Sequence, residues 1–168
     1  MSERPPFPTV LDSSMMATFR SCPWKAYLEY FEHWKSRTPS PHLHAGKAYA
    51  AGLEAARLAF YQGGFDPASS VAFGLEALRR EWGDYVPPES IAKTLPRMLE
   101  ALTFYFEHYQ LGTDAAVPFK LGDKWTVEFS FAEPLCVDHP ETGEPLILAG
   151  RADQIVHYAG GTYIEDDK

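Results

Sequence analysis

Three acids and a lysine follow an apolar, strand-like stretch at the end of the sequence, in Tyr163-Ile164-Glu165-Asp166-Asp167-Lys168. Twelve residues separate Asp166 from Asp153, which closes the run Gly150-Arg151-Ala152-Asp153. Glu128 lies upstream in an alternating apolar–polar stretch. Carboxylates of this kind can hold a hard cation. Mg²⁺ prefers oxygen ligands and keeps several waters, so two or three carboxylates and a phosphate suffice. Such a metal makes hydroxide available near neutral pH and stabilises charge on a phosphoryl oxygen. A lysine beside it can orient the water or neutralise the developing charge. Each residue also has an ordinary reading: Asp153 as a strand-end acid, Glu128 as a solvent-facing one, and Asp166 with Lys168 as a solvated tail. Arg151 either packs or contacts a phosphate.

Strands must bring these groups together. "KWTVEFSFAEPL" alternates, with Val127, Phe129 and Phe131 on one face and Thr126, Glu128 and Ser130 on the other. "EPLILAGRADQIVHY" and "GTYIEDDK" read as two further strands joined at "AGG". A two-residue turn on Gly160-Gly161 predicts the pairs Ala159–Thr162, Ile155–Asp166 and Asp153–Lys168. Asp153 and Asp166 are then diagonal neighbours on one face, about 7–8 Å apart. A three-residue loop would instead set Asp153 on a face with Glu165 and Asp167.

The front half is helical. Asp12, Ser13 or Ser14 can cap a helix through "MMATFRS", and Pro23 suits the first turn of a second, "PWKAYLEYFEHW". "TPSPHLH" reads as a loop. An Ala-rich helix runs from about Ala45 to Tyr61, ends at Gly63-Gly64, and carries small residues that admit a close neighbour. "DPASSVAFGLEALRREWG" is a helix with Asp66 as cap and Pro67 at its first position. Another covers roughly 89–110, with Pro96 as a break or kink. Trp24, Tyr27 and Tyr30 can stack on bases, but their helical spacing favours core.

A chain of 168 residues, 45% hydrophobic and 14% aromatic, fits one domain, with helices over about 12–112 and a sheet over about 120–168. The fold class expected is α/β of the α+β kind, helices packed on a small antiparallel or mixed sheet. The net charge of −8 argues against a protein that coats nucleic acid non-specifically. That charge is uneven: residues 1–60 carry seven Lys/Arg against five acids, and the rest eight against eighteen. No leader or membrane span is read, and two cysteines fit a reducing cytoplasm. The histidines lack zinc-ligand spacing.

Four stretches together resemble the PD-(D/E)XK nuclease superfamily, and particularly its RecB-type exonuclease branch, with a look of viral (phage) members. "SSMMATFRSCPWKAYLEY" is similar to that branch's opening segment, and "AGKAYAAGLEAAR" to its "G-x-x-x-H-x-x-x-E" helix. "GRAD" is similar to its "G-[KR]-x-D" strand and "YIEDDK" to its "[DE]-x-K" strand. The resemblance implies a restriction-endonuclease-like sheet and an Mg²⁺- or Mn²⁺-dependent DNA exonuclease of recombination, repair or viral DNA processing. Asp153, Asp166 and Glu128 would be metal ligands, Lys168 the catalytic lysine, and Glu54 the glutamate of the first motif. DNA is the implied partner, a helicase or recombination protein a further one, and ring-forming relatives allow an oligomer.

Two departures qualify this. Ala50 stands where the branch usually carries a metal-binding histidine, and His44 is not an obvious replacement. The family also continues past the motif lysine, so the module is expected to be incomplete at its C-terminus. The alternative function is a catalytically silent nuclease-fold module that binds DNA or a partner protein. Some relatives use a cysteine at Cys22 for an iron–sulfur cluster. With Cys136 as the only other cysteine, no such cluster is expected in this chain alone, and Cys22 is read as buried and structural.

Overall fold

The computed structural model describes residues 6–38, 40–113 and 115–165. Among them the order is β1 (Val10–Leu11), α1 (Ser13–Ser21), α2 (Pro23–Ala26), a π-helical turn (Tyr27–Phe31), α3 (Pro41–Tyr61), α4 (Pro67–Trp82) and α5 (Leu95–His108). Strands β2 (Val117–Pro118), β3 (Lys120–Leu121), β4 (Lys124–Trp125), β5 (Val127–Asp138), β6 (Pro145–Tyr158) and β7 (Gly161–Glu165) follow. The fold is mixed α/β, with β1 ahead of the helices and the other strands after them. The chain divides into two compact units. One comprises the residues up to Arg37 with Phe129–Arg151, the other Thr38–Glu128 with Ala152 onwards.

In the second unit, α3, α4 and α5 build the core from Ala45, Ala48, Leu53, Ala56, Leu78, Trp82, Leu102 and Phe106. Helices α3 and α4 cross at Gly52 and Gly74. A Cβ on Gly74 would lie 2.6 Å from the Gly52 carbonyl oxygen and 2.9 Å from the Ala56 Cβ. The small-residue stripe expected of α3 therefore admits a neighbouring backbone. Helix α4 has the expected limits: the Asp66 carboxylate accepts from the Ser69 N–H at 3.0 Å, Pro67 opens the first turn, and Gly83 follows with φ 57°.

Three helix boundaries differ from the sequence reading. Helix α3 begins at Pro41 rather than Ala45, because Ser40 Oγ accepts from the Leu43 N–H and Pro41 needs no N–H partner at that position. Helix α5 begins at Leu95, so Pro96 sits in its first turn and neither breaks nor kinks it. The stretch after Pro23 is not one long α-helix. It passes from α2 into the π-helical turn and stops before His33, whose φ is 55°.

In the first unit, the Pro-rich opening contains β1, which pairs parallel to β6 through Val10–Ile147 and Leu11–Leu148. Buried His139 anchors it. Its Nε2 lies 2.9 Å from the Phe7 carbonyl oxygen, while Nδ1 accepts from the N–H groups of Glu141 and Thr142. A carbonyl only accepts, so Nε2 carries the proton. Phe131 lies over Gly150, where a Cβ would come within 2.5 Å of the ring.

Strand β6 pairs with β1, β2, β5 and β7, and the parallel β1 makes this five-stranded sheet mixed; β3 and β4 form a separate hairpin. Between β6 and β7 the pairs are Gln154–Glu165, Ile155–Ile164, Val156–Tyr163, His157–Thr162 and Tyr158–Gly161. The two-residue loop is therefore Ala159-Gly160, not Gly160-Gly161. The expected pairs Ala159–Thr162 and Ile155–Asp166 are corrected by a two-residue shift to His157–Thr162 and Ile155–Ile164, and the expected pair Asp153–Lys168 lies outside the described residues. The turn has φ 48° at Ala159 and 81° at Gly160, positive at both central positions as a type I′ turn requires.

Replacing Gly74 with Ala forces the helix crossing apart. Thermal unfolding is expected to show a loss of about 1–3 kcal/mol, and an unchanged melting temperature would refute the close approach. Replacing Ala159 with Asn suits the left-handed turn and is expected to gain about 0.5–1 kcal/mol in denaturant titrations. Hydrogen bonds from the Ser69 side chain, then from its backbone, hold the Asp66 carboxyl below its ordinary 3.8. Its stabilising effect is complete above that value and is lost as pH falls through the lower folded one. Melts of Asp66→Asn, which keeps the cap, should therefore lose this part of the acid-side slope.

Candidate active site

Thr126 locks the entry to β5. Its hydroxyl is buried 2.8 Å from the carbonyl oxygens of both Phe119 and Ile155, so it can donate to either. The backbone repeats the link, since Ile155 N–H donates to the Thr126 carbonyl. Two residues further along β5 is Glu128, and two residues back along β6 is Asp153. Strands β5 and β6 pair, so Glu128 and Asp153 belong to neighbouring strands.

Glu128 does not follow the simple alternation expected of its strand. Its φ is 51°, and Thr126 and Val127 before it are both buried. A left-handed backbone in a non-glycine residue costs about 1–3 kcal/mol and recurs at functional positions. It also re-aims the side chain. The Glu128 Oε2 atom is shielded from solvent.

The β6–β7 register sorts the acids by face. Gln154 and Val156 are 4% and 3% exposed, which makes theirs the core face. Glu165 is directly opposite Gln154 and shares that face. Asp153 belongs to the other face with Ile155 and His157, across from Thr162 and Ile164. Ile164 is 74% exposed, while Asp153 and Ile155 on β6 are half-buried. The three-residue-loop alternative, which would group Asp153 with Glu165, is thereby closed. Asp166, Asp167 and Lys168 lie outside the described residues.

The first-motif helix addresses the core face. Arg57 of α3 is 4% exposed, donates from Nη2 to the Tyr105 hydroxyl at 2.8 Å, and lines a small cleft with Tyr61, Tyr105 and Gln154. Glu54 is one turn earlier on the stripe that carries Ala50, Arg57 and Tyr61. Glu54 is half-buried, and Arg57 and Tyr61 of this stripe line the cleft on the Gln154 side of β6. Among the described residues no three His, Cys, Asp or Glu side chains converge as a metal-ligand group. Sequence reasoning missed Arg57 and Gln154. The available signal was an arginine on the apolar stripe of an Ala-rich helix.

His44 is occupied otherwise. Its Nε2 is 3.1 Å from the Trp82 carbonyl oxygen and its ring is 4.1 Å from that of Tyr85, so it packs the α3–α4 corner. Cys22 corrects an expectation: it is exposed, not buried, and its Sγ receives the Lys25 N–H at the start of α2. Trp24 corrects another, since it is 66% exposed and not core. Among the described residues no helix is long and apolar enough to cross a membrane.

Searches of this chain against protein-family models, curated proteins and solved structures match nothing.

Proposed function

We propose that this chain is a metal-dependent deoxyribonuclease module of the PD-(D/E)XK kind, acting on DNA ends with Mg²⁺ or Mn²⁺. What supports the reading is that Glu128 and Asp153 belong to β5 and β6, strands that pair and that Thr126 ties together at Ile155. Asp153 is half-buried on the β6 face opposite Gln154, and Glu128 is held in a strained backbone with a shielded carboxylate oxygen. The donor set fits a hard cation, because carboxylate oxygens are the ligands that Mg²⁺ and Mn²⁺ take.

Asp153 and Glu128 would hold the cation, with Asp166 as the further ligand in this reading. Bound there, the cation supplies an activated water and charge stabilisation on the phosphoryl oxygen. Lys168 would hold that water or offset the developing negative charge. Glu54 stays outside the ligand set, on the α3 stripe with buried Arg57. Ala50 then costs the metal site nothing, since the α3 stripe is not its source of ligands. The restriction-endonuclease-like character of the sheet, a helicase or recombination partner, and a place in viral DNA processing rest on the sequence resemblance.

Cleavage of end-labelled linear and closed circular DNA tests this with Mg²⁺, Mn²⁺ or EDTA. Linear DNA should be degraded only with metal, and Asp153→Asn should reduce the rate by about 100-fold or more. Calorimetry with Mn²⁺ should show weakened binding in the same variant. Metal affinity unchanged by that substitution, with no cleavage by the parent chain, would leave a silent module that binds DNA or a partner protein.

A further inference from the structure

The aromatic residues after Pro23 do not enter the core. The Trp24 ring stacks on Tyr27 at 5.5 Å between centroids and 17° between planes, and Tyr27 stacks on Phe31 at 5.7 Å and 23°. Three rings therefore form a column along α2 and the π-helical turn. Tyr27 covers one face of Trp24, and 66% exposure of the residue leaves the other open. The Tyr27 hydroxyl is fixed by Glu32 Oε1 at 2.7 Å, which sets the orientation of the middle ring. A wide turn of this type recurs at functional positions in helices.

The surrounding charge is positive, against the trend of the chain. Residues 20–37 carry Arg20, Lys25, Lys35 and Arg37 against Glu29 and Glu32, within a protein of net charge −8. Arg20 and Lys25 are exposed on either side of Trp24 in sequence. An open, flat aromatic face with flanking cations suits an unpaired nucleobase on a phosphate chain, because every base has a face to stack and every linkage carries a charge. A duplex cannot use it in the same way, since its bases are already stacked on one another. A purely apolar partner would leave the cations unanswered.

We infer that Trp24, backed by Tyr27 and Phe31 and flanked by Arg20 and Lys25, is a stacking platform for single-stranded nucleic acid. That the strand is DNA rests on the nuclease reading above. The platform is a binding element in its own right, separate in composition from the acidic residues assigned to metal.

Anisotropy of labelled oligo-dT, oligo-rU and duplex DNA, measured in EDTA, tests the platform without cleavage. Oligo-dT should bind more tightly than duplex and quench tryptophan fluorescence. Trp24→Ala should weaken oligo-dT binding by about 10-fold or more, while Trp24→Phe, which keeps a flat ring, should stay close to the parent chain. Lys25→Met should weaken binding and flatten its salt dependence. Equal affinity of the Trp24→Ala and parent chains overturns the inference, as does duplex binding equal to oligo-dT binding. Binding of oligo-rU without oligo-dT overturns the assignment to DNA. Trp24-dependent binding by a chain that shows no metal-dependent cleavage would sink the nuclease reading and leave the platform standing.

Discussion

The contact at Gly52 and Gly74 is the constraint on which the second unit depends. Two helix backbones approach until only hydrogen can lie between them at that point, with the Gly52 carbonyl oxygen 2.6 Å from where a Gly74 Cβ would stand. Close approach brings Ala56, Leu78 and Leu102 into contact and lets Leu102 of α5 lie against the same crossing. It also fixes the rotation of α3 about its axis. With Gly52 and Ala56 committed to α4, Arg57 and Tyr61 are turned towards the cleft they line with Gln154 of β6. The helix packing thus decides which face of the strand becomes core.

Strand β6 transmits that choice to the acids. Alternation along a strand means that once Gln154 and Val156 are buried, Asp153 and Ile155 belong to the opposite face. The Ala159-Gly160 turn carries the same sorting into β7, because a two-residue loop fixes the pairing and one more residue would exchange its faces. Thr126 ties the start of β5 to Ile155 by both side chain and backbone. This clamp sets the entry to β5 against β6, and the positive φ of Glu128 then departs from the regular pleat.

Burial separates two kinds of polar residue here. Arg57 and Gln154 are deep in the second unit, where a guanidinium is tolerated because tyrosine hydroxyls and ring faces replace part of its water. Asp153, by contrast, is on a face that water reaches. The aromatic column at Trp24 reverses the usual pattern, since large apolar rings are stacked on one another and yet exposed. A satisfied arginine in the core and an uncovered tryptophan outside are both costly unless something offsets them. Among the described residues Tyr105 offsets the arginine, and Tyr27 covers one ring face of the tryptophan.

Much was legible in the sequence where the signal is local. Asp66, Pro67 and Gly83 delimit α4 because capping chemistry acts over three or four residues. The β6–β7 hairpin was legible from its glycines, and the Gly-Ala stripe of α3 from its composition. The hairpin's phase was not: Gly160-Gly161 and Ala159-Gly160 are both chemically suitable loops, and ladder pairing along β6 selected the second. Nor could periodicity tell that Trp24 is outside and Arg57 inside, since both sit on helical stripes of similar spacing. The sequence alone determined the main helices and the β5, β6 and β7 strands, and it named carboxylates as candidate metal ligands; β1 and the short strands β2, β3 and β4 were not legible in it. Tertiary structure decided which faces are buried, the phase of the β6–β7 hairpin and the left-handed backbone at Glu128. The reason is physical: caps and turns are satisfied by near neighbours, whereas burial and strand register depend on groups far apart in the chain that only packing brings together.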